Sequence, residues 1–214
     1  MGRFKVLTIV PAYNEEKTIS KVIKDLKKYS DVLVIDDHSN DKTYQIVKKH
    51  KSLLIRNKKN LGYEKSLEVG LFKSIKLNYD FAITFDGDGQ HHASDIKKFL
   101  HHFRSGYELV LGDRSLVTRF SEKLAKYLFY KKWGIMDPYC GFKGYKLNKI
   151  SKYKFFERYH SVGLDLSLTL IESGARFKNV KILTSKRFDH SKFGNLIIGN
   201  LKILRSIFLS FVKH

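Results

Sequence analysis

The chain has one cysteine, Cys140, and two prolines, Pro11 and Pro138. A lone thiol forbids an intrachain disulfide, which excludes a disulfide-stapled secreted scaffold and fits a reducing compartment. With so little proline and no low-complexity tract, the sequence gives no cue for a linker or a repeat. Acid is scarce too: Asp+Glu 21 against Lys+Arg 41 leaves a net charge of +20. That balance favours nucleic acid, an anionic membrane or phosphorylated ligands without choosing among them. Long apolar runs are missing as well. The opening MGRFKVLTIVPAYNEE breaks off after a few apolar residues and reads as neither a signal peptide nor a membrane span. What is present is 214 residues, 43% hydrophobic, enough to bury a core as one domain.

The first half alternates strands and helices. Lys5 to Val10 reads as a strand ending at Pro11, Asp31 to Asp36 as a second, Leu53 to Arg56 as a third and Phe81 onward as a fourth. Between them, Glu15 to Tyr29, Ser39 to His50 and Glu64 to Leu77 carry helical spacing or cap residues. Three strand–helix units in succession imply an α/β fold with a parallel sheet covered on both faces. Farther on, Asp95 to Phe103 is expected as a helix, Glu108 to Gly112 as a strand and Phe120 to Trp133 as a basic, aromatic helix, and from Asp137 the segments are short and mixed.

The most informative segment is FAITFDGDGQH, residues 81–91. An apolar strand ends in Asp86 and Asp88, with Gly87 and Gly89 breaking it, so both carboxylates fall at a strand's carboxyl end, where open α/β sheets bind ligands. Two hard carboxylates there suit a divalent cation that takes its other ligands from water and phosphate. An EF-hand loop would need Gly and Glu where His91 and Lys97 stand, and a D-x-D-G-T strand end would need Thr in place of Gln90. Of the adjacent His91 and His92, at most one is expected to approach the site.

Taken together, VPAYNEE (10–16), VIDDHSNDKT (34–43), N-x-G (60–62) and FDGDGQH (85–91) resemble glycosyltransferase family 2, inverting nucleotide-sugar transferases of the GT-A fold. The pattern D-x-D-x-Q-H, then Gly112 to Arg114, Asp137 to Lys143, and Arg187 followed by Ser191-Lys192-Phe193-Gly194, is similar to the dolichol-phosphate mannose synthase and polyprenyl-phosphate branch. Asp113 and Cys140 depart from the small hydroxylated residues usual there, and His38 from a usual glycine.

The resemblance implies a GT-A, Rossmann-like three-layer sandwich with a mostly parallel central sheet. The order of strands and helices divides residues 1–195 into a nucleotide-sugar-binding half, 1–92, and an acceptor half, 93–195, of one domain, before a C-terminal amphipathic helix, 196–214. The resemblance also implies Mg2+ or Mn2+ held by Asp86 and Asp88 with Gln90 in support. A nucleotide-sugar pocket would be formed by Pro11, Tyr13, Glu15, Asp37, Asp86, Gly87, Asp88, Gln90 and Arg114. Arg114 and Arg187 would neutralise the leaving diphosphate, and Lys192 with Arg187 would bind an acceptor phosphate. Asp165 is the candidate base if the acceptor is instead a glycan hydroxyl. The expected donor is GDP-mannose or a UDP-hexose, and the expected acceptor a polyprenyl phosphate or a glycan.

The C-terminal LIIGNLKILRSIFLSFVKH is interrupted by Asn200, Lys202 and Arg205. At 100° per residue Lys202, Ser206, Ser210 and Lys213 form a polar stripe opposite Leu201, Leu204, Ile207, Phe208 and Phe211, which reads as a helix lying on an anionic bilayer. Lys123, Lys126, Lys131 and Lys132 among Tyr127, Phe129, Tyr130 and Trp133 suit a headgroup layer in the same way. The expected location is cytoplasmic, peripheral on the cytoplasmic membrane face. A nucleic-acid module is disfavoured by the acids at the strand ends and by the lack of any helix-turn-helix, zinc-finger or RRM signature. A sugar-binding relative without catalysis is disfavoured because both aspartates and both arginines are kept.

Overall fold

A computed structural model describes residues 4–114, 117, 119–153, 163–185 and 196–214, except the side chains of Leu196 and Ile197. The first half runs β1 (Val6–Ala12), α1 (Ile19–Leu26), β2 (Asp31–Asp36), α2 (Thr43–Lys49), β3 (Leu53–Arg56), α3 (Tyr63–Lys76) and β4 (Phe81–Thr84). A short helical turn (Ala93–Asp95) then leads into α4 (Ile96–Arg104), β5 (Leu109–Arg114), α5 (Phe120–Trp133), β6 (Lys143–Lys146), α6 (Leu147–Ile150), α7 (Leu164–Glu172), β7 (Phe177–Ile182) and α8 (Leu196–Lys213).

These strands form one sheet in the order β3-β2-β1-β4-β6-β5-β7. β3, β2, β1 and β4 are parallel, β6 runs antiparallel between β4 and β5, and β7 is parallel to β5. The pleat sorts the β1 and β2 side chains to opposite sides. Leu7, Ile9, Leu33 and Ile35 enter a core with α3, α5, α7 and α8, whereas Val6, Val10, Val32 and Val34 enter one with α1, α2 and α4. The result is the three-layer, mostly parallel GT-A arrangement.

Two local differences from the expected elements have clear causes. β1 continues through Pro11 to Ala12, paired with Ile35 and Asp36 of β2. The β1–β4 ladder has already ended at Ile9↔Thr84, so the N–H that proline lacks is not needed on that side. β6, KGYK, is a four-residue strand without alternation and lies wholly inside the sheet.

The C-terminal helix is rotated from the face expected of it. Ser206, Ser210, Ile203 and Ile207 are buried, while Leu201, Leu204, Phe208 and Val212 are exposed. Small side chains, Ser206 and Ser210, thus stand on the buried side of α8. A Cβ at Gly199 would meet the end of the Arg119 side chain, so a larger residue there would displace that guanidinium. Ser121 Oγ meets Asn200 Oδ1 at 2.5 Å, and the Phe211 ring packs against Phe129 and Trp133 with centroids 5.6 and 4.9 Å apart.

Candidate active site

Parallel strands bring their carboxyl ends to one edge, and side-chain oxygens stitch the loops there together. Asn14 N–H donates to Ser39 Oγ at 3.0 Å, Glu15 N–H to Thr43 Oγ1 at 2.8 Å, and Asn40 N–H to Asn14 Oδ1 at 2.9 Å. Two further bonds cross in opposite senses: Glu16 N–H donates to Asp41 Oδ2, and Lys42 N–H donates to Glu16 Oε2, both at 3.1 Å. The short polar residues after β2 therefore hold the backbone of the PAYNEE loop. Pro11 is buried there, with Tyr13 and Glu15 half-buried. His38, where glycine is usual, adopts φ 64°, the left-handed region that explains the usual preference.

Asp37 is fully engaged. Its carboxylate accepts from Asn57 Nδ2 at 2.7 Å, Leu61 N–H at 2.9 Å and Gly62 N–H at 2.8 Å. It thus fixes the N-x-G loop that precedes α3.

Asp86 lies where three segments converge. Tyr63, the first residue of α3, donates its hydroxyl to Asp86 Oδ1 at 2.6 Å, and His91 Nε2 bonds Oδ2 at 3.0 Å. Gly141 closes the third side: a Cβ there would lie 2.6 and 2.7 Å from the two carboxylate oxygens. Burial pushes the Asp86 carboxyl up, but His91, the Tyr63 hydroxyl and the Arg114 charge outweigh it and hold the group at about 2. Burial and Asp86 raise the Tyr63 phenol well above its ordinary value, so it stays a neutral donor. His91 is packed between the Phe85 and Phe142 rings, while His92 turns away to Ser185 Oγ at 2.9 Å.

The rest of this loop is pinned on both sides. Thr18 Oγ1 donates to Gly87 O at 2.7 Å, and Gln90 N–H donates to Asp88 Oδ1 at 3.0 Å. Ser185 N–H donates to Gln90 O at 2.8 Å and Thr184 bridges His91, so the chain leaving β7 is held beside Asp88 as far as Ser185.

Arg114, at the end of β5, is gripped by Asp137 and by Glu122 of α5, the latter at 3.3 Å. The neighbouring Asp113 takes Lys126 Nζ at 2.8 Å, so a carboxylate at that position anchors α5. Cys140 is buried; burial first, then the Asp137 charge, push its thiol up to about 12.

Asp165 belongs to a different cluster. It is buried at the start of α7, where Lys213 Nζ and His214 Nε2 (3.1 Å) meet its Oδ1, and His214 Nδ1 meets Glu172 at 2.6 Å. Among the described residues its hydrogen-bond and ion-pair partners lie in α7 and at the end of α8, not in the Asp86 loop. Arg187 and Lys192 lie outside the described residues.

Among the described residues no group of three or more His, Cys, Asp or Glu side chains is gathered to hold a metal ion. Two oxygen-donor carboxylates on a glycine-broken loop nevertheless fit Mg2+ or Mn2+, cations that take much of their coordination from water and substrate phosphate. Tyr63, Gly141 and Thr18 had no assigned role in the sequence reading. The signal for the first two was adjacency, Tyr63 directly after N-x-G and Gly141 inside D-x-x-x-G-F-K.

Comparison with known proteins agrees with this geometry. An uncharacterized protein of Methanocaldococcus jannaschii is 29% identical, with 95% of this chain and 91% of that one aligned. A UDP-N-acetylglucosamine–dolichyl-phosphate N-acetylglucosaminyltransferase of Methanococcus voltae is 34% identical over 51% of each chain. Glucosyl-3-phosphoglycerate synthase from Mycobacterium tuberculosis, solved with Mn2+, UDP and phosphoglyceric acid, superposes with a TM-score of 0.78. It is 17% identical, with 97% of this chain and 78% of that one covered. The family model for Glycosyl transferase family 2 matches residues 8–164, and with the strand-end loops and the Asp86 cradle in place, this chain belongs to glycosyltransferase family 2.

Proposed function

We propose that this glycosyltransferase moves a hexose, with inversion, from GDP-mannose or a UDP-hexose to a polyprenyl or dolichyl phosphate at an anionic membrane surface. The donor's diphosphate end lies at Asp86 and Asp88, with Gln90 in support, and its nucleoside end in the loop of Pro11, Tyr13 and Glu15. Asp37 shapes that pocket through the amides of Leu61 and Gly62. A divalent cation bound at the two aspartates supplies charge neutralisation for the leaving nucleoside diphosphate. Arg114, and Arg187 by resemblance, add cationic donors to the same group. An acceptor phosphate oxygen attacks the anomeric carbon as its bond to the diphosphate breaks. That oxygen already carries charge, so no general base is required, in keeping with Asp165 being engaged by Lys213 and His214.

The lipid acceptor rests on one observation, the outer face of α5 and α8. Phe120 is 76% exposed, Tyr127 61%, Phe208 66% and Leu201 60%, large apolar side chains left outside the core on two helices that pack on each other; exposed apolar surface of this kind marks an interaction site when it is gathered in one patch. Lys123, Lys131, Lys202 and Arg205 are exposed around it. Such cations repel each other across a contact between two copies but favour anionic headgroups. The same helix carries Glu122 and Lys126, which bind Arg114 and Asp113, so this face is mechanically continuous with the donor site. No helix among the described residues is long and apolar enough to cross a membrane, and the reading is of a face resting on the bilayer. The M. voltae relative, by its name, uses a dolichyl phosphate acceptor.

A thermal-shift panel of UDP and GDP, each with Mn2+ or Mg2+, tests the donor side. One nucleotide should raise the midpoint selectively and only with metal. Equal, metal-independent shifts for both would contradict it.

A further inference from the structure

The Asp86 carboxylate is held at the strand edge by side chains from two other points of the chain, Tyr63 and His91. A carboxylate has about four acceptor positions. Tyr63 takes one on Oδ1 and His91 takes one on Oδ2, leaving one on each oxygen without a partner among the described residues. The donors approach from different elements, α3 and the far end of the carboxylate's own loop. Gly141 removes the third direction in which the group would swing. His91 is itself immobilised between Phe85 and Phe142 and by the bridge to Thr184. An ionised carboxylate only accepts, so His91 Nε2 carries the hydrogen of this bond.

We infer that Tyr63 and His91 are positioning residues for the divalent cation: they hold the Asp86 carboxylate in one orientation with one acceptor position open on each oxygen. This rests on the assignment of Asp86 as a metal ligand. A free aspartate loses rotamer freedom when it binds a metal, and a carboxylate already oriented by hydrogen-bond donors does not. Outer-shell partners of this kind typically carry about 10–100-fold in metal affinity.

Mn2+ binding read from the free-ion electron paramagnetic resonance signal tests this directly, with Mn2+ alone and with UDP or GDP added. Tyr63→Phe and His91→Leu should each weaken Mn2+ binding by roughly tenfold or more. His91→Gln, which keeps an N–H donor, should recover much of the loss. Thermal midpoints and nucleotide binding without metal should match the unaltered protein, and activity should return at saturating Mn2+. Unchanged Mn2+ affinity in Tyr63→Phe and His91→Leu, alongside a loss in Asp86→Asn, overturns the positioning role and leaves the metal assignment standing. Unchanged affinity in Asp86→Asn overturns the metal assignment itself. A weakening matched by lower midpoints and weaker metal-free nucleotide binding, without rescue by His91→Gln, would show a merely structural role and also overturn the inference.

Discussion

Arg114 grips both oxygens of Asp137: Nε donates to Oδ2 at 2.7 Å, Nη2 to Oδ1 at 3.0 Å, and its backbone N–H adds a bond to Oδ2 at 3.2 Å. The pair joins the end of β5 to the loop before β6, and so fixes the guanidinium that the proposed function sets against the donor diphosphate. Burial pushes the Asp137 carboxyl up, but Arg114 more than offsets this and keeps it below the ordinary carboxylate value. With the folded value below the unfolded one, the pair's contribution is fully present above about pH 4–5 and is lost as pH falls through the folded value. Asp137→Asn should therefore cost about 3 kcal/mol near neutral pH, as removal of one partner of a buried pair does. The gap to the unaltered protein should narrow below pH 4. Urea midpoints across pH 3–7 measure both; a constant gap would contradict the assignment.

A second expectation follows from the orientation of α8. Phe208→Glu and Leu201→Glu change exposed positions and should leave the thermal midpoint nearly unchanged while releasing the protein from anionic liposomes. Ser206→Leu overpacks a buried position of α8 and should cost about 1–3 kcal/mol. Raising salt should weaken liposome binding only in part, because apolar contact is not screened. Co-sedimentation decides the matter: outer-face variants that bind liposomes as tightly as the unaltered chain would show that this surface is not the docking face.

The same helix shows where sequence reading succeeds and where it stops. β2 and β3 fall on their expected bounds, and α5 on its full expected span, because apolar runs and breakers report backbone state directly. The two aspartates were legible for the same reason, as a strand end followed by glycines. For α8 a wheel identifies an apolar side but not what covers it. A polar stripe drawn through Ser206 and Ser210 implies an outward face, whereas both serines are buried. β6 was unreadable because its burial comes from neighbours distant in sequence, β4 and β5. Tyr63 and Gly141 were missed because their roles exist only where α3 and the pre-β6 loop meet Asp86.

The acceptor chemistry separates two sets of residues. If the nucleophile is a lipid phosphate, Lys192→Ala and Arg187→Ala should each cut single-turnover transfer by roughly 10²-fold or more, in the range for lost electrostatic stabilisation. Asp165→Asn should act mainly on stability, since it leaves Lys213 and His214 without their shared carboxylate. Its thermal midpoint should fall while its rate stays within a few-fold. An Asp165→Asn enzyme that keeps its midpoint and loses several orders of magnitude in rate would point to a hydroxyl acceptor and a base at that position.

The central claim, transfer to a lipid phosphate through a metal held at Asp86 and Asp88, is tested most directly by following labelled sugar from GDP-mannose and UDP-hexoses into organic-extractable product. Polyprenyl phosphate and the corresponding alcohol serve as acceptors, with Mn2+ or chelator present. The expected result is a mild-acid-labile product with polyprenyl phosphate and Mn2+ only, and its loss in Asp88→Asn, a near-isostere that keeps the loop's shape and removes one charge. Product formed equally in chelator, or by Asp88→Asn, or on a glycan hydroxyl but never on polyprenyl phosphate, would contradict it.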